Sequence, residues 1–213
     1  LRIAGAQSGS GIEVYTGRML RYAITGGLAG RSRETLLADA RRWAQEGLEF
    51  VQLREKWMEV GELVAVAKEM VGVFGEGGGR TKLLVNGRAD VAAAAAADGV
   101  HLTARAGELT VEQVRRVFEV AGRAAVVSVS CHSVEEVARA GAAGADLIVF
   151  GPVFEKRVDE VLISGGKGVE MLRKACEIAG DIPVLALGGV TTENAGLCVE
   201  AGAGGVAGIG LYR

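Results

Sequence analysis

At 213 residues, 49% hydrophobic and 23% charged, the chain is long enough for one full-sized core and short for two, with a globular balance. A net charge of −2, from 24 basic and 26 acidic residues, gives no ground for nucleic acid or an anionic membrane as partner. Three cysteines (Cys131, Cys176, Cys198), odd in number and without metal-ligand spacing, point to reduced thiols in a cytoplasmic protein with no resident metal, and no apolar run is long enough for a membrane span.

The start, Leu1-Arg2-Ile3-Ala4-Gly5, is no signal peptide and lacks an initiating Met, so residues 1–20 read as an N-terminal extension and 21–213 as one domain. Arg21 to Thr25 alternates and ends at Gly26-Gly27, the first expected strand. Arg33 to Gln45 carries Leu36, Leu37, Ala40 and Trp43 at helical spacing and stops at Gly47. Phe50 to Leu53 is a second strand whose end, Arg54-Glu55-Lys56, is charged, and a helix over Gly61–Phe74 follows. The glycines at 75 and 77–79 precede a strand, which makes them a turn at the stability end of a barrel, not a phosphate cradle.

Lys82 to Val85 is the third strand, ending in Asn86-Gly87-Arg88 before an alanine-rich helix. Gly99–Leu102 is the fourth strand, Thr110–Val120 a helix, and Ala125–Ser130 the fifth strand, which runs into Cys131-His132-Ser133. Ser133 with Glu136 has the spacing of a capping box. Asp146–Phe150 is the sixth strand, and a longer loop then leads through Lys167 to the next helix. Pro183 to Leu187 is the seventh strand, Gly188-Gly189 its turn, Thr191 to Asn194 a helix start, and Gly205 to Ile209 the eighth strand. Eight strands alternating with helices, with no antiparallel hairpin signal, predict an α/β fold: a single (β/α)8 TIM barrel lacking its C-terminal eighth helix. The outer face of the first and eighth strands then needs another cover, and residues 1–18 or a partner subunit are the candidates.

Reactive groups in such a barrel project from the carboxyl ends of strands. That rule collects Gln52, Arg54, Lys56, Asn86, Arg88, His101, Ser130, His132, Glu155 and Lys156, with Gly188, Gly189, Gly208 and Gly210 closing the ring and Ile209 between the last two as a further phosphate-binding candidate. Cations facing a glycine-lined end suit a phosphorylated small molecule, expected between Gly188-Gly189 and Gly208-Gly210 with Lys167 at a helix start. Plainer readings stand beside these. Arg54 and Lys56 also fit a solvated strand end, His132 a cap-region residue, and His101 a hydrogen-bonded core residue. Cys131 and His132 are adjacent and point apart, which disfavours a nucleophile–base pair.

The runs Gln52-Leu53-Arg54-Glu55-Lys56, Asn86-Gly87-Arg88, Ala97-Asp98-Gly99-Val100-His101-Leu102, Ser130-Cys131-His132-Ser133, Gly151-Pro152-Val153-Phe154 and Ala186-Leu187-Gly188-Gly189-Val190 resemble the thiamine phosphate synthase / thiazole tautomerase family, in family order from about Arg21 to Ile209. The resemblance implies one of two activities. Synthases join hydroxymethylpyrimidine diphosphate to a thiazole phosphate, using Mg²⁺ held by two aspartates; Gly87 and the Thr103-Ala104-Arg105-Ala106 run stand where those carboxylates belong. Asn-Gly-Arg and Phe-Glu resemble the tautomerase branch, which moves a proton to aromatise carboxythiazole ethyl phosphate and needs an acid/base and a phosphate anchor but no cofactor. His132 matches the catalytic histidine, although synthases carry a His here too, and Arg54 and Lys56 match the synthase version of their motif. The resemblance therefore implies a thiazole phosphate ligand and a metal-free tautomerase, with a Mg²⁺-dependent synthase and a non-catalytic binding relative as alternatives, and leaves room for a homo-oligomer.

Overall fold

The computed structural model describes residues 19–26, 32–103, 105, 107–158 and 161–212; the expected extension falls almost wholly outside them. In chain order the elements are β1 (Leu20–Ile24), α1 (Arg33–Glu46), β2 (Phe50–Leu53), α2 (Val60–Glu76), β3 (Lys82–Asn86), α3 (Ala89–Ala94), β4 (Gly99–Leu102) and α4 (Val111–Val120). There follow β5 (Val126–Cys131), α5 (Val134–Ala142), β6 (Leu147–Phe150), β7 (Lys156–Val158), β8 (Val161–Ser164), α6 (Val169–Ala179), β9 (Val184–Ala186), α7 (Ala195–Glu200) and β10 (Gly205–Gly208). Eight strands close a parallel barrel in the order β1-β10-β9-β6-β5-β4-β3-β2. This is the (β/α)8 barrel without its last helix. No helix among the described residues is long and apolar enough to cross a membrane.

Strand alternation divides the apolar residues into two cores. Leu20, Tyr22, Ile24, Phe50, Leu84, Val126, Leu147, Val149, Leu185 and Ala207 fill the barrel, with the Tyr22 and Phe50 rings stacked at 6.0 Å. The outward residues, such as Val51, Val85, Val100, Val127, Ile148 and Val206, pack under the helices. In β2 to β5 the inward positions two residues further along are polar instead: Gln52, Asn86, His101, Ser128 and Ser130. The pleat therefore carries the polar set to the carboxyl end while the other end stays apolar.

One expectation is corrected. The loop after β6 contains an antiparallel hairpin, β7 with β8, outside the barrel sheet. A second is refined. Ser133 Oγ does accept the Glu136 N–H at 3.3 Å, but the Glu136 carboxylate reaches back to the N–H of His132 instead of Ser133. The cover over β10 also comes from a source that was not anticipated. Leu211 and Tyr212 pack on the outer core, where the Tyr212 hydroxyl donates to the Val206 carbonyl at 3.1 Å. The Tyr212 carbonyl in turn accepts from Trp43 Nε1 and Arg42 of α1, both at 2.8 Å. The glycine run beyond α2 begins with Gly77 as the helix C-cap and leads into β3, as a turn should.

Candidate active site

The mouth is built in layers. In the lower one, His101 is 3% exposed, with Nδ1 2.7 Å from Ser128 Oγ and 3.3 Å from the Tyr22 hydroxyl, and Nε2 3.0 Å from Ser130 Oγ. Burial first, and the Arg54 charge second, push its pKa down to about 3, so the ring is neutral at any ordinary pH. Burial also raises the Tyr22 phenol, keeping it an O–H group. His101 is thus the hydrogen-bonded core residue that its apolar strand allowed, set directly beneath the mouth. Tyr22 and Ser128 were missed by the sequence reading; their alternation with Ser130 and with the end of β1 was the available signal.

One step up, Gln52 (2% exposed) donates from Nε2 to Asn86 Oδ1 at 2.8 Å, while its buried Oε1 has no partner among the described residues. A buried amide oxygen left open at a strand end is an acceptor available to a ligand N–H. Arg54, next inward on this strand, is half-buried, and its Nη1 lies 3.7 Å from where a Cβ on Gly26 would stand. Any side chain at Gly26, whose φ is +92°, would crowd the Arg54 backbone. The guanidinium therefore lies over the end of β1, close enough for its charge to act on His101. Lys56 is exposed in the turn before α2, Lys156 opens β7 with its side chain outside the described set, and Lys167 is exposed ahead of α6. The structure brings Gln52, Asn86, His101, Ser130 and Arg54 together; it leaves Lys56 and Lys167 at the surface.

His132 follows the inward series Val126, Ser128, Ser130, and its side chain is exposed. Its Nδ1 lies 2.6 Å from the Gly151 carbonyl at the end of β6. A carbonyl can only accept, so Nδ1 carries the proton in this bond and Nε2 is the ring nitrogen left outside it. Cys131 beside it faces the outer core, and burial pushes its thiol up to about 12, which removes it as a nucleophile.

The glycines follow β9 and β10, with β6 between them and the strand that leads to His132. Continuing the Leu185↔Gly205 register by three residues sets Gly188 next to Gly208. The N–H groups of Gly188, Gly189 and Gly210 donate to nothing among the described residues, as an anion-binding turn requires. Gly188 (φ +90°) and Gly189 (φ +64°) press on the loop after β6: a Cβ would meet Pro152 Cβ at 2.5 Å and Phe154 Cβ at 2.8 Å respectively. Gly208 ends β10, Ile209 is 38% exposed, and Gly210 has open space around it.

Three carboxylates near these strand ends are engaged elsewhere, whereas Glu55, buried just after β2, accepts from Trp57 Nε1 and keeps Oε1 without a partner among the described residues. Asp90 pairs with Arg88, whose hydrogen bond holds its pKa down; Glu108 accepts from Thr103 N–H and Oγ1–H, and Glu136 from the His132 N–H. No group of three or more His, Cys, Asp or Glu able to hold a metal occurs among the described residues, which do not include Ala104 and Ala106.

The fold and this mouth define a (β/α)8-barrel protein whose polar residues converge with glycine turns at the carboxyl ends of the strands. The chain belongs to the TMP-TENI family, described as thiamine monophosphate synthase, which matches residues 21–211. It is similar to a protein named putative thiamine-phosphate synthase 2 from Aquifex aeolicus (strain VF5), 35% identical over 192 residues, covering 90% of this chain and 96% of the relative. It is also similar to a putative thiamine-phosphate synthase from Geobacter sulfurreducens, 35% identical over 191 residues, covering 90% and 78%. Among solved structures, thiamine phosphate pyrophosphorylase from Pyrococcus furiosus superposes with a TM-score of 0.71 at 30% identity, covering 90% of this chain and 85% of that one.

Proposed function

We infer that the chain is an enzyme of thiamine-phosphate biosynthesis acting on a thiazole phosphate, and that its reaction is the metal-independent tautomerisation of carboxythiazole ethyl phosphate. The observation that carries this reading is His132, whose Nδ1–H is anchored on Gly151 while Nε2 is left free at the mouth. Nε2 accepts the proton from the ring carbon of the ylidene form, and a proton is delivered to the exocyclic carbon. The double bond moves into the ring, which becomes aromatic, and no atom is gained or lost. A proton shuttle needs one titrating group, phosphate donors and a dry floor. Gly188, Gly189 and Gly210 offer the donors, with Arg54 as the nearby cation, and the Gln52 amide meets the ring.

A second reading, Mg²⁺-dependent thiamine phosphate synthase, is favoured by the names of the relatives and by Arg54 and Lys56 in the second-strand motif. The two are separated by one experiment. Wild type and His132→Gln are incubated with the ylidene thiazole phosphate in EDTA, and in parallel with Mg²⁺, thiazole phosphate and hydroxymethylpyrimidine diphosphate. Tautomerisation that survives EDTA and falls roughly 10²–10⁴-fold in kcat in the Gln variant is expected, with KM little changed. Thiamine phosphate formation that EDTA abolishes, with no aromatisation, would establish the synthase; binding of thiazole phosphate without either turnover would make the chain a binding protein.

A further inference from the structure

Around the helix ring, neighbours pack together from α1 to α4 and from α5 to α7, whereas α4 and α5 barely touch. A cleft of about 270 Å³ opens in that gap, outside the barrel. Leu102 of β4 and Val129 of β5, partners in register and both outward-facing, form an apolar floor. Arg105 and Arg139 stand in the walls, and neither guanidinium has a hydrogen bond or ion pair among the described residues. The two wall carboxylates differ: Glu108 is held by Thr103 N–H and Oγ1–H, and Glu136 by the N–H of His132 at 2.5 Å. The cleft thus offers an apolar surface and two planar cations without a hydrogen-bond partner among the described residues, with Glu135 within electrostatic reach of Arg139.

We propose that the α4–α5 cleft binds a small aromatic monocarboxylate, separately from the mouth, and is linked to His132 through Glu136. Its volume lies just under the roughly 300–1,000 Å³ of sites for drug-sized ligands, which suits a single ring. A guanidinium pairs with a carboxylate in two parallel hydrogen bonds, and the ring lies on the Leu102–Val129 floor. One negative charge fits better than two, because a dianion would bring its second charge against Glu108 and Glu136. Any ligand touching Glu136 bears on the carboxylate that holds the backbone of His132.

The probe is benzoate, titrated into ¹⁵N-labelled protein. Saturable shifts of the Thr103, Glu136 and His132 amides are expected, with affinity at least tenfold weaker in Arg139→Gln and in Arg105→Gln. Both arginines are exposed, so the variants should otherwise keep the wild-type spectrum. Arg54→Gln removes a cation of the mouth and should leave the titration unchanged. Shifts that never saturate, or that survive both cleft variants but vanish in Arg54→Gln, would overturn the site. Saturation at Thr103 with a stationary His132 amide would overturn the link. Neither readout depends on turnover, so the outcome is independent of the reaction proposed above.

Discussion

Two histidines carry opposite assignments because of where the pleat leaves them. His101 is enclosed by Tyr22, Ser128 and Ser130, and its folded pKa of about 3 lies below the ordinary 6.5. The unfolded chain therefore binds the extra proton first, so this contribution is complete above about pH 6.5 and is lost as pH falls towards 3. Urea titrations across that window should show stability rising with pH, and His101→Gln should flatten the slope by up to about 1.4 kcal/mol per pH unit. A second residue-scale expectation concerns Gly188. With φ at +90° and Pro152 Cβ 2.5 Å from any added Cβ, Gly188→Ala combines backbone strain with a clash. Denaturant melts should show a loss of roughly 1–3 kcal/mol from the strain alone. Much of the site could be read from the chain: Gln52, Asn86, Ser130 and His132 all lie at or just beyond strand ends. What sequence spacing does not carry is long-range contact, such as Tyr22 reaching Ser128 across 106 residues or Gly151 offering its carbonyl to His132.

At the scale of elements, the apolar runs and their glycine stops located all eight barrel strands, because a buried parallel strand is nearly continuous in hydrophobicity. The hairpin of β7 and β8 escaped for a physical reason. The sequence between Lys156 and Ser164 contains no Asn-Gly or other Gly-containing pair of the kind that marks a two-residue hairpin turn, and the register carries an irregularity at Lys156/Arg157. Helix starts were more legible. Thr110 and Gln113 make a full capping box on α4, the Thr side chain accepting from Gln113 N–H and the Gln side chain accepting from Thr110 N–H. Thr110→Ala should therefore cost about 1 kcal/mol, readable as a lower urea midpoint with an unchanged m-value.

At the scale of the whole barrel, no helix follows β10 among the described residues, which raises the question of what keeps the β1–β10 side dry. Tyr212 answers part of it, since one side chain hydrogen-bonds Val206 and its own carbonyl takes donors from Arg42 and Trp43. Burial raises its phenol pKa to about 12, so it remains protonated throughout the working range. Removing the ring by Tyr212→Ala should destabilise by roughly 2–4 kcal/mol, near the lower part of the range for large aromatic truncations, because Tyr212 is only partly buried. Thermal unfolding measures this, and, on the function proposed above, kcat below the melting range should stay within about twofold, since Tyr212 bonds to α1 and β10 and not to β5.

The loops after β6 and β9 continue pairing past their strands: Val153 N–H bonds Leu187 O at 2.8 Å, and Phe154 N–H bonds Gly188 O at 2.9 Å. One of these loops holds the imidazole through Gly151 and the other carries the glycine amides. On the function proposed above, base and anion clamp are the two jaws of a fixed caliper, set by backbone and not by side-chain rotamers. A caliper measures length. A thiazole whose phosphate hangs on a tether one methylene longer can seat its phosphate or its ring, but not both, and should lose kcat while retaining much of its binding.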